Sequence, residues 1–274
     1  MKITKTKLKQ IIKEEIEQLA RGHISLSSDQ AQNIRQTQNR AKKIIKFLSS
    51  TDPDNVEQGL TILDALEDQQ LIDTIASYFV FDSKSNSITT RRGFDLPQEL
   101  GMILNYFSEK SDRVKDMLAQ IENLIISYNN FITNVDFLRF CTNLTSLSLS
   151  RCKSLENVDG LVGCTNLNWL DLYYCQSLEN IDALKGCTNL NWLDLSRCKS
   201  LQNIDGLVGC TNLTELDLYW CKSLQNVDAL QGLTNLTTLN LFECHSLPLE
   251  LQELFESNEH GTAYEQFMTA LNAF

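Results

Sequence analysis

The stretch CTNLNWLDLYYC, residues 164–175, decides the fold of this chain because variants of it recur along the sequence. Its leucines alternate with other residues, which is the pattern of a half-buried β-strand. Its two cysteines belong to two sets, each spaced by 23 residues, at positions 141, 164, 187 and 210 and at positions 152, 175, 198 and 221. A short period of this kind indicates a solenoid, in which each unit buries its apolar side against the next.

Four units follow one another without a gap over residues 141–232: CTNLTSLSLSRCKSLENVDGLVG, CTNLNWLDLYYCQSLENIDALKG, CTNLNWLDLSRCKSLQNIDGLVG and CTNLTELDLYWCKSLQNVDALQG. A less regular unit, LAQIENLIISYNNFITNVDFLRF, comes before them. A decaying unit, LTNLTTLNLFECHSLPLELQEL, comes after them. We therefore predict six repeats over residues 118–254.

The pattern LxxLxLxxCxxLxxVxxL resembles that of the leucine-rich repeat family over about half of the chain. The run of Ile or Val, Asp, Gly or Ala, and Leu resembles the short convex segment of internalin-like bacterial repeats, whose unit is usually one residue shorter. The second cysteine stands where the family has a ladder of Asn. It resembles a cysteine-containing subclass found behind F-box domains, although that subclass has a longer unit. The resemblance implies an α/β solenoid with a parallel concave sheet.

Within the 23-residue period the units alternate in pairs. The residues before the second cysteine read Ser-Arg, Tyr-Tyr, Ser-Arg and Tyr-Trp in turn, and Asp-Gly alternates with Asp-Ala later in the unit. Duplication of a two-repeat block explains the alternation, which a purely structural ladder would not require. The Asp of each Asp-Gly or Asp-Ala pair is expected to cap the turn that follows it. These residues are Asp159, Asp182, Asp205 and Asp228.

The sequence on either side of the repeats predicts helices. Residues 1–50 form a basic helical leader, whose opening KITKTKLKQIIKEEI resembles N-terminal tags on proteins of tailed phages and marine bacteria. Residues 51–117 form a helical N-terminal region and cap, in which 52–79 resembles a HEAT-like helix pair starting with an Asp cap and Pro. We expect a polar loop at 81–95, then helices that seal the first repeat. Residues 255–274 form the helical cap at the other end.

The charge of the chain is unevenly distributed. The net charge is −11, yet residues 1–50 carry eleven Lys and Arg against four Asp and Glu, while residues 118–274 carry seven against eighteen. An acidic body argues against nucleic acid as the main partner, since phosphate binding needs clustered Lys and Arg. Lys9, Lys13, Glu14 and Glu15 interrupt the N-terminal apolar pattern, so it is neither a signal peptide nor a membrane span. We expect a cytoplasmic chain without membrane insertion.

The nine cysteines all lie in the repeats, at positions where the pattern expects a buried small residue or the ladder Asn. A disulfide framework is typical of small secreted chains, and zinc sites typically use closely spaced CxxC pairs. We therefore predict reduced, structural cysteines, with metal binding or redox sensing as the alternatives. The three histidines are scattered, and the sequence holds no phosphate-binding loop, nucleophile elbow or HExxH motif. We predict no enzymatic activity and no cofactor.

The outward positions of the predicted strands are free of the structural pattern and therefore carry the functional prediction. All three tryptophans and four of the seven tyrosines fall on or beside this concave face. Clustered exposed aromatic residues are typical of protein interfaces, so we predict a protein partner there. The predicted partner-binding residues are Trp169, Asp171, Tyr173, Tyr174, Trp192, Asp194, Arg197, Asp217, Tyr219, Trp220 and Phe242.

Other interpretations of this face remain open. The rings could instead form a stabilising ladder, because neighbouring strands lie about 4.8 Å apart. The row of Asp favours a basic partner segment whose Lys or Arg rests on the rings. A carbohydrate could stack on the same rings, although they are closer together than successive sugars. The protein could also be a phage or assembly component that docks through its N-terminal helix.

Overall fold

The computed structural model describes residues 28–50, 52–82, 87–90, 100–249 and 251–252. Within these ranges a helical N-terminal region precedes a sheet of six parallel strands. The N-terminal elements are α1 (Ser28–Leu48), α2 (Pro53–Leu66), α3 (Gln69–Ala76), β1 (Phe79–Asp82), β2 (Ser87–Thr90), α4 (Leu100–Lys110) and α5 (Asp112–Leu118). The sheet consists of β3 (Asn123–Ile125), β4 (Ser146–Ser148), β5 (Trp169–Asp171), β6 (Trp192–Asp194), β7 (Glu215–Asp217) and β8 (Thr238–Asn240).

The predicted helix pair is confirmed as α2 and α3, and both helices begin at an Asp cap. The Asp52 side chain accepts a hydrogen bond from the backbone N–H of Asp54, and Pro53 follows it as the first helical residue. Asp68 caps α3 in the same way by accepting the N–H of Leu71 at 3.0 Å. Helix α1 packs against α2 and α3. The apolar sides of these three helices therefore form one packed unit.

The prediction of a polar loop at 81–95 is wrong in the part that the structure describes, because β1 and β2 form an antiparallel hairpin. Phe81 pairs with Ile88, and Phe79 lies with its ring centroid 5.2 Å from that of Phe107 in α4. Phe79 and Ile88 are both buried. Phe79 and Ile88 therefore attach the hairpin to the helical core, and the partly buried Phe81 packs against that core as well.

Helices α4 and α5 pack against the first repeat, as predicted. Gly101 of α4 lies so close to Ile132 that an added Cβ would be 2.1 Å from the Ile132 Cγ1. The Asn105 side chain accepts the backbone N–H of Phe137 at 2.9 Å and donates to the Oδ1 of Asn134. The apolar end of the repeat stack is therefore covered by both packing and hydrogen bonds.

The six strands run in chain order, and each pairs with the next in a parallel register shifted by one 23-residue unit. Leu147, Leu170, Leu193 and Leu216 are paired at the centre of neighbouring strands and are fully or almost fully buried. Because strand side chains alternate between two faces, the flanking residues point to the other side of the sheet. The predicted solenoid with its parallel sheet is confirmed.

The convex side is built from short 3₁₀ turns that alternate between two forms. The turns of the second and fourth repeats have three residues, whereas those of the first, third and fifth repeats have five. Their ranges are Asp136–Phe140, Asp159–Leu161, Asp182–Gly186, Asp205–Leu207 and Asp228–Gly232. Among the described residues, only the Asp-Gly repeats contain a glycine with positive φ after the turn, at Gly163 (96°) and Gly209 (98°). The alternation of Asp-Gly with Asp-Ala is therefore an alternation of backbone geometry.

The prediction that the Asp of these turns acts as the cap is wrong. The Asn two residues earlier accepts the backbone N–H of each Asp, at 3.1 Å for Asn157 and 2.6 Å for Asn226. The Asn side chain thus accepts the N–H two residues further along, which is an Asx turn, and this N–H belongs to the first residue of the 3₁₀ turn. Asp182 forms an ion pair with Lys185 instead.

The leader helix before residue 28 and the C-terminal cap at 255–274 lie outside the described residues. The boundaries of the four predicted regions remain predictions.

Candidate functional site

The interior of the solenoid contains a ladder of thiols. Each second cysteine of a unit donates its S–H to a backbone carbonyl of the preceding repeat, at S···O distances from 3.0 to 3.2 Å. The pairs are Cys152 with Ile126, Cys175 with Leu149, Cys198 with Leu172, Cys221 with Leu195, and Cys244 with Leu218. These hydrogen bonds link neighbouring repeats, and in the last four pairs the carbonyl also accepts the backbone N–H of the cysteine in its own repeat.

All nine cysteines are free thiols, and all are buried. Burial raises the pKa of Cys152, Cys164 and Cys210 to about 11, and it raises the pKa of Cys198 well above the ordinary value. A thiol that is buried and held neutral is a poor nucleophile and a poor redox sensor. Among the described residues, no group of three or more His, Cys, Asp or Glu is arranged to hold a metal ion. The geometry therefore supports a structural role for the cysteines.

The first outward column of the sheet carries a stacked tryptophan pair. Trp169 and Trp192 occupy paired positions on β5 and β6, and their ring centroids are 4.7 Å apart at an interplanar angle of 8°. Both side chains are half-buried. One face of each ring is therefore covered by the other ring, and the edges and outer faces remain for a ligand.

The middle column carries Asp171, Asp194 and Asp217 on three neighbouring strands. Each carboxylate accepts the backbone N–H two residues further along, at 2.9 Å from Tyr173, 2.7 Å from Ser196 and 2.7 Å from Tyr219. These hydrogen bonds hold the three carboxylates in a row across the strands.

Burial changes the acidity of two of these carboxylates. It raises the pKa of Asp194 to about 6, while the hydrogen bonds from Ser196 lower it and the neighbouring Asp217 and Asp171 raise it further. Burial also raises the pKa of Asp217. The row is therefore less strongly anionic near pH 6 than three exposed carboxylates would be.

A third row lies where the chain leaves each strand, and its backbone is the same in every repeat. All six residues have a positive φ between 62° and 64°. They are Tyr128, Arg151, Tyr174, Arg197, Trp220 and Glu243. We call this row the αL edge. The backbone N–H of each of the first five donates to a carbonyl of the following repeat at 2.7 to 2.9 Å, so the strained conformation extends the sheet.

The first half of the αL edge contains an arginine held between two tyrosines. The guanidinium carbon of Arg151 lies 5.1 Å from the ring centroid of Tyr128 and 5.3 Å from that of Tyr173. The ammonium of Lys153 lies 5.7 Å from the ring of Tyr174. These distances are within the range of cation–π attraction.

The second half of the αL edge also contains an arginine against two rings, but both rings belong to the following repeat and one of them is a tryptophan. The guanidinium of Arg197 lies 5.5 Å from the ring centroid of Tyr219 and 4.8 Å from that of Trp220. The ammonium groups of Lys199 and Lys222 lie 4.9 and 4.5 Å from the Trp220 ring. The cations that rest on these rings thus belong to the chain itself.

The aromatic row ends with exposed apolar surface. The ring of Phe242 is parallel to that of Tyr219 at 6.1 Å, and Phe242 is 45% exposed. At the opposite end, Ile125 and Tyr128 are 57% and 62% exposed. The ends of the concave face therefore expose more apolar surface than its middle.

The register places all eleven predicted partner-binding residues on this one concave surface. They lie in the tryptophan column, in the Asp column, in the αL edge and, between the last two, at the positions of Tyr173, Tyr219 and Phe242. Sequence reasoning did not select four cations of the same surface, namely Arg151, Lys153, Lys199 and Lys222. The signal for them was Arg before the second cysteine on alternate repeats, and Lys after that cysteine in three of the four regular repeats.

A groove on the other side of the tryptophans was also not predicted. It has a volume of about 610 Å³ and is lined by Asn166, Asn168, Asn189, Asn191, Asn212, Thr214 and Asn235. Four of these amides donate to a threonine carbonyl of the preceding repeat, for example Asn189 to Thr165 at 2.9 Å. The amides therefore act first as a structural ladder between repeats.

One parallel strand per repeat, stacked in chain order over buried leucines, decides the fold. The repeat region is a leucine-rich repeat solenoid. No family model matches the chain, and no curated protein matches it. In the part of the chain that the structure describes, no helix is both long and apolar enough to cross a membrane.

Solved structures similar to this leucine-rich repeat protein include two internalins of Listeria monocytogenes. One, the internalin inlF, has 18% sequence identity and a TM-score of 0.40, with 54% of each chain covered. Internalin C2 has 19% identity and a TM-score of 0.36, with 54% of this chain and 80% of that chain covered. The TLR13–ssRNA13 complex has 19% identity and a TM-score of 0.33, with 50% of this chain and 24% of that chain covered. The chain thus spans about half the length of the first internalin.

Proposed function

We propose that this leucine-rich repeat protein is a non-catalytic module that binds a protein partner on its concave face. The observation that carries the proposal is the set of aromatic side chains, from Tyr128 to Phe242, that five of the six repeats contribute to this face. Its rings are half-buried or exposed, and they are fixed by stacking and cation–π contacts across five repeats. Rigid, partly exposed aromatic side chains lose little conformational entropy on binding, which is why they dominate protein interfaces.

The geometry supports a protein partner better than a carbohydrate. Trp169 and Trp192 cover each other at 4.7 Å, so no sugar ring fits between them. The rings of the αL edge carry the chain's own cations on their faces. A partner therefore contacts ring edges, guanidinium groups and the exposed ends of the face, a mixture typical of protein interfaces.

The charge of the partner is a separate question. The row of Asp171, Asp194 and Asp217 favours a basic segment, as the sequence predicts. These carboxylates are half-buried and already hydrogen-bonded, and the ring faces proposed for the partner's cations are occupied by Arg151 and Arg197. The contacts therefore give a basic partner less support than the sequence pattern alone.

The proposal is tested by selecting ligands with the immobilised full-length protein from a display library of random peptides. We expect the native protein to retain a defined set of peptides. The triple variant Trp169→Ala, Trp192→Ala and Trp220→Ala should lose them, because it removes both the stack and the ring under three cations. Circular dichroism should show that the variant keeps its fold, since none of these side chains lies in the leucine core.

The matched control removes exposed apolar side chains from the convex side. Val162 and Val208 are 64% and 58% exposed, and replacing both with Ala should leave the selected peptides unchanged. Capture that is unchanged in the triple tryptophan variant would refute the concave-face proposal. Retention of glycans and of no peptide would instead establish the carbohydrate alternative.

A further inference from the structure

The unpaired cations of the solenoid are concentrated on one edge. Residues 118–249 contain seven Lys and Arg. Arg139 forms an ion pair with Glu109, and Lys185 forms one with Asp182. The other five all lie along or beside the αL edge: Arg151, Lys153, Arg197, Lys199 and Lys222. In the described part of the chain, none of the five has a carboxylate within ion-pair distance.

Two of these cations are held in place before any ligand arrives. Arg151 lies between two tyrosine rings, and Arg197 lies against a tyrosine and a tryptophan. The N–H groups of a guanidinium point outward in its own plane. A guanidinium whose face is stacked on aromatic rings can therefore still donate them to a carboxylate. These contacts restrict the rotamers of the two long side chains before binding, which lowers the entropy that is lost on binding.

The spacing of the two arginines restricts the ligand. They occupy equivalent positions two repeats apart, and neighbouring strands lie about 4.8 Å apart, so the backbone positions from which the two guanidinium groups extend are about 10 Å apart. A polyproline II segment has three residues per turn and rises about 3.1 Å per residue, which places residues i and i+3 on one face about 9 Å apart. An acidic residue at every third position of such a segment matches the two arginines.

We propose that the αL edge binds an extended acidic peptide segment, of the pattern Asp or Glu at every third residue, with its carboxylates on Arg151 and Arg197. The inference rests on the proposed function and specifies the chemistry of its partner. Lys153, Lys199 and Lys222 flank the two arginines and extend the positive potential along the edge. Pro or other apolar residues between the carboxylates contact the edges of Tyr173, Tyr174, Tyr219 and Trp220.

A single-stranded nucleic acid fits the same edge less well. It carries a phosphate on every nucleotide, whereas the edge has an arginine only on alternate repeats. Additional phosphates would approach the acidic middle column and a chain whose net charge is −11. A peptide with one carboxylate in three residues places its charges at the arginines alone.

The test measures direct binding to the full-length protein by fluorescence anisotropy, with a labelled peptide of four Glu-Pro-Pro units. We expect binding that weakens with added salt. The double variant Arg151→Gln, Arg197→Gln should raise the Kd about tenfold or more, since each substitution removes a charge-assisted hydrogen-bonding group. A peptide of the same composition with its four Glu in one block should bind more weakly than the spaced peptide.

The control variant removes the same amount of charge elsewhere. Arg139→Gln with Lys185→Gln deletes two cations that are engaged in exposed ion pairs, and such pairs contribute little to stability. Its Kd for the peptide should stay within about twofold of the native value, a free-energy difference well below that of a tenfold change.

Several outcomes overturn the inference. One is equal weakening by the control variant, because net charge alone would then explain binding. Others are tighter binding of a Lys-Pro-Pro peptide, tighter binding of a single-stranded oligonucleotide, or no binding of the acidic peptide. The display selection separates these failures from failure of the proposed function: retained peptides without acidic residues would refute only the acidic partner, whereas a selection without any retained peptide would refute protein binding itself.

Discussion

The convex turns and the αL edge both alternate from repeat to repeat, but only the convex turns alternate in their backbone. On the convex side, three-residue turns with Gly160 and Gly206 alternate with five-residue turns. On the αL edge, φ stays between 62° and 64° in all six repeats, while the side chain changes between an aromatic residue and Arg over the first five repeats and is Glu243 in the sixth. The first alternation is a property of packing, and the second is a property of surface chemistry.

Close packing explains why the convex side needs two forms. An added Cβ on Gly160 would be 1.9 Å from the carbonyl oxygen of Val135, and one on Gly206 would be 2.0 Å from that of Ile181. The turns of the first and second repeats, and of the third and fourth, are thus in backbone contact. The αL edge has no such restriction, so the alternation of Arg with aromatic residues that repeat duplication explains is available for the proposed anion binding.

The largest expected effect is on the convex side. Gly206→Ala should reduce the free energy of unfolding by about 3 kcal/mol, because the new methyl group would meet backbone atoms that cannot rotate away. Urea denaturation of the full-length protein followed by circular dichroism measures the change. The matched control is Ala183→Gly at the equivalent position of a five-residue turn, which should cost about 1 kcal/mol for one buried methyl group. Equal losses in both variants would remove the distinction between the two turn forms.

An intermediate effect on stability is expected in the middle column, where β5, β6 and β7 all carry an Asp. The pKa of Asp194 is raised from 3.8 to about 6, so the folded chain holds this proton more tightly than the unfolded chain. The resulting stabilisation is fully present below pH 3.8 and is lost as the pH rises to about 6. Asp194→Asn should remove this loss and make the protein about 1 kcal/mol more stable at pH 7, after allowance for solvent screening.

The measurement is the free energy of unfolding of the native protein and of this variant between pH 4 and pH 7. Asn240 occupies the same column and accepts the N–H of Phe242 at 3.1 Å, so an amide fits this site. Asp228→Asn, an exposed change of the same charge on the convex side, should alter stability by less than about 0.5 kcal/mol at either pH. A pH dependence that is identical in Asp194→Asn and the native protein would contradict the assignment.

The smallest effect on stability is expected at the αL edge. Arg197→Tyr should change the free energy of unfolding by less than about 0.5 kcal/mol, because Tyr174 already adopts the same backbone conformation at the equivalent position. Chemical denaturation measures this value, and a loss as large as that of Gly206→Ala would show that the edge is a structural ladder. The same substitution should nevertheless weaken the acidic peptide, since it removes one of the two guanidinium groups.

The concave residues were predictable because a fixed period sets the register without any three-dimensional information. Once Leu170 and Leu172 are assigned to the core, Trp169, Asp171 and Tyr173 must point outward. The contacts between columns were not predictable in the same way. Arg151 reaches one ring in the repeat before it and another in the repeat after it, and sequence spacing does not determine which of several neighbours a long side chain contacts.

Outside the repeats, the sequence predicted local structure correctly where a side chain interacts with its own segment of chain. Asp52 with Pro53 predicted the start of α2 because a helix cap is a local interaction. The hairpin of β1 and β2 was missed because Phe79 and Ile88 are buried against the helical core, and the sequence of a polar segment does not reveal such a distant contact.

The sequence by itself determined the number and order of the repeats, the residues of the buried ladder and the membership of the concave columns, because all of these follow from the constant length of the repeating unit. Only the tertiary structure decided which turns pack in backbone contact, that Asn and not Asp caps them, and that the chain's own cations occupy the aromatic edge. These features depend on distances of a few ångströms between residues of different repeats, and a repeating sequence specifies which residues are neighbours but not how closely they approach.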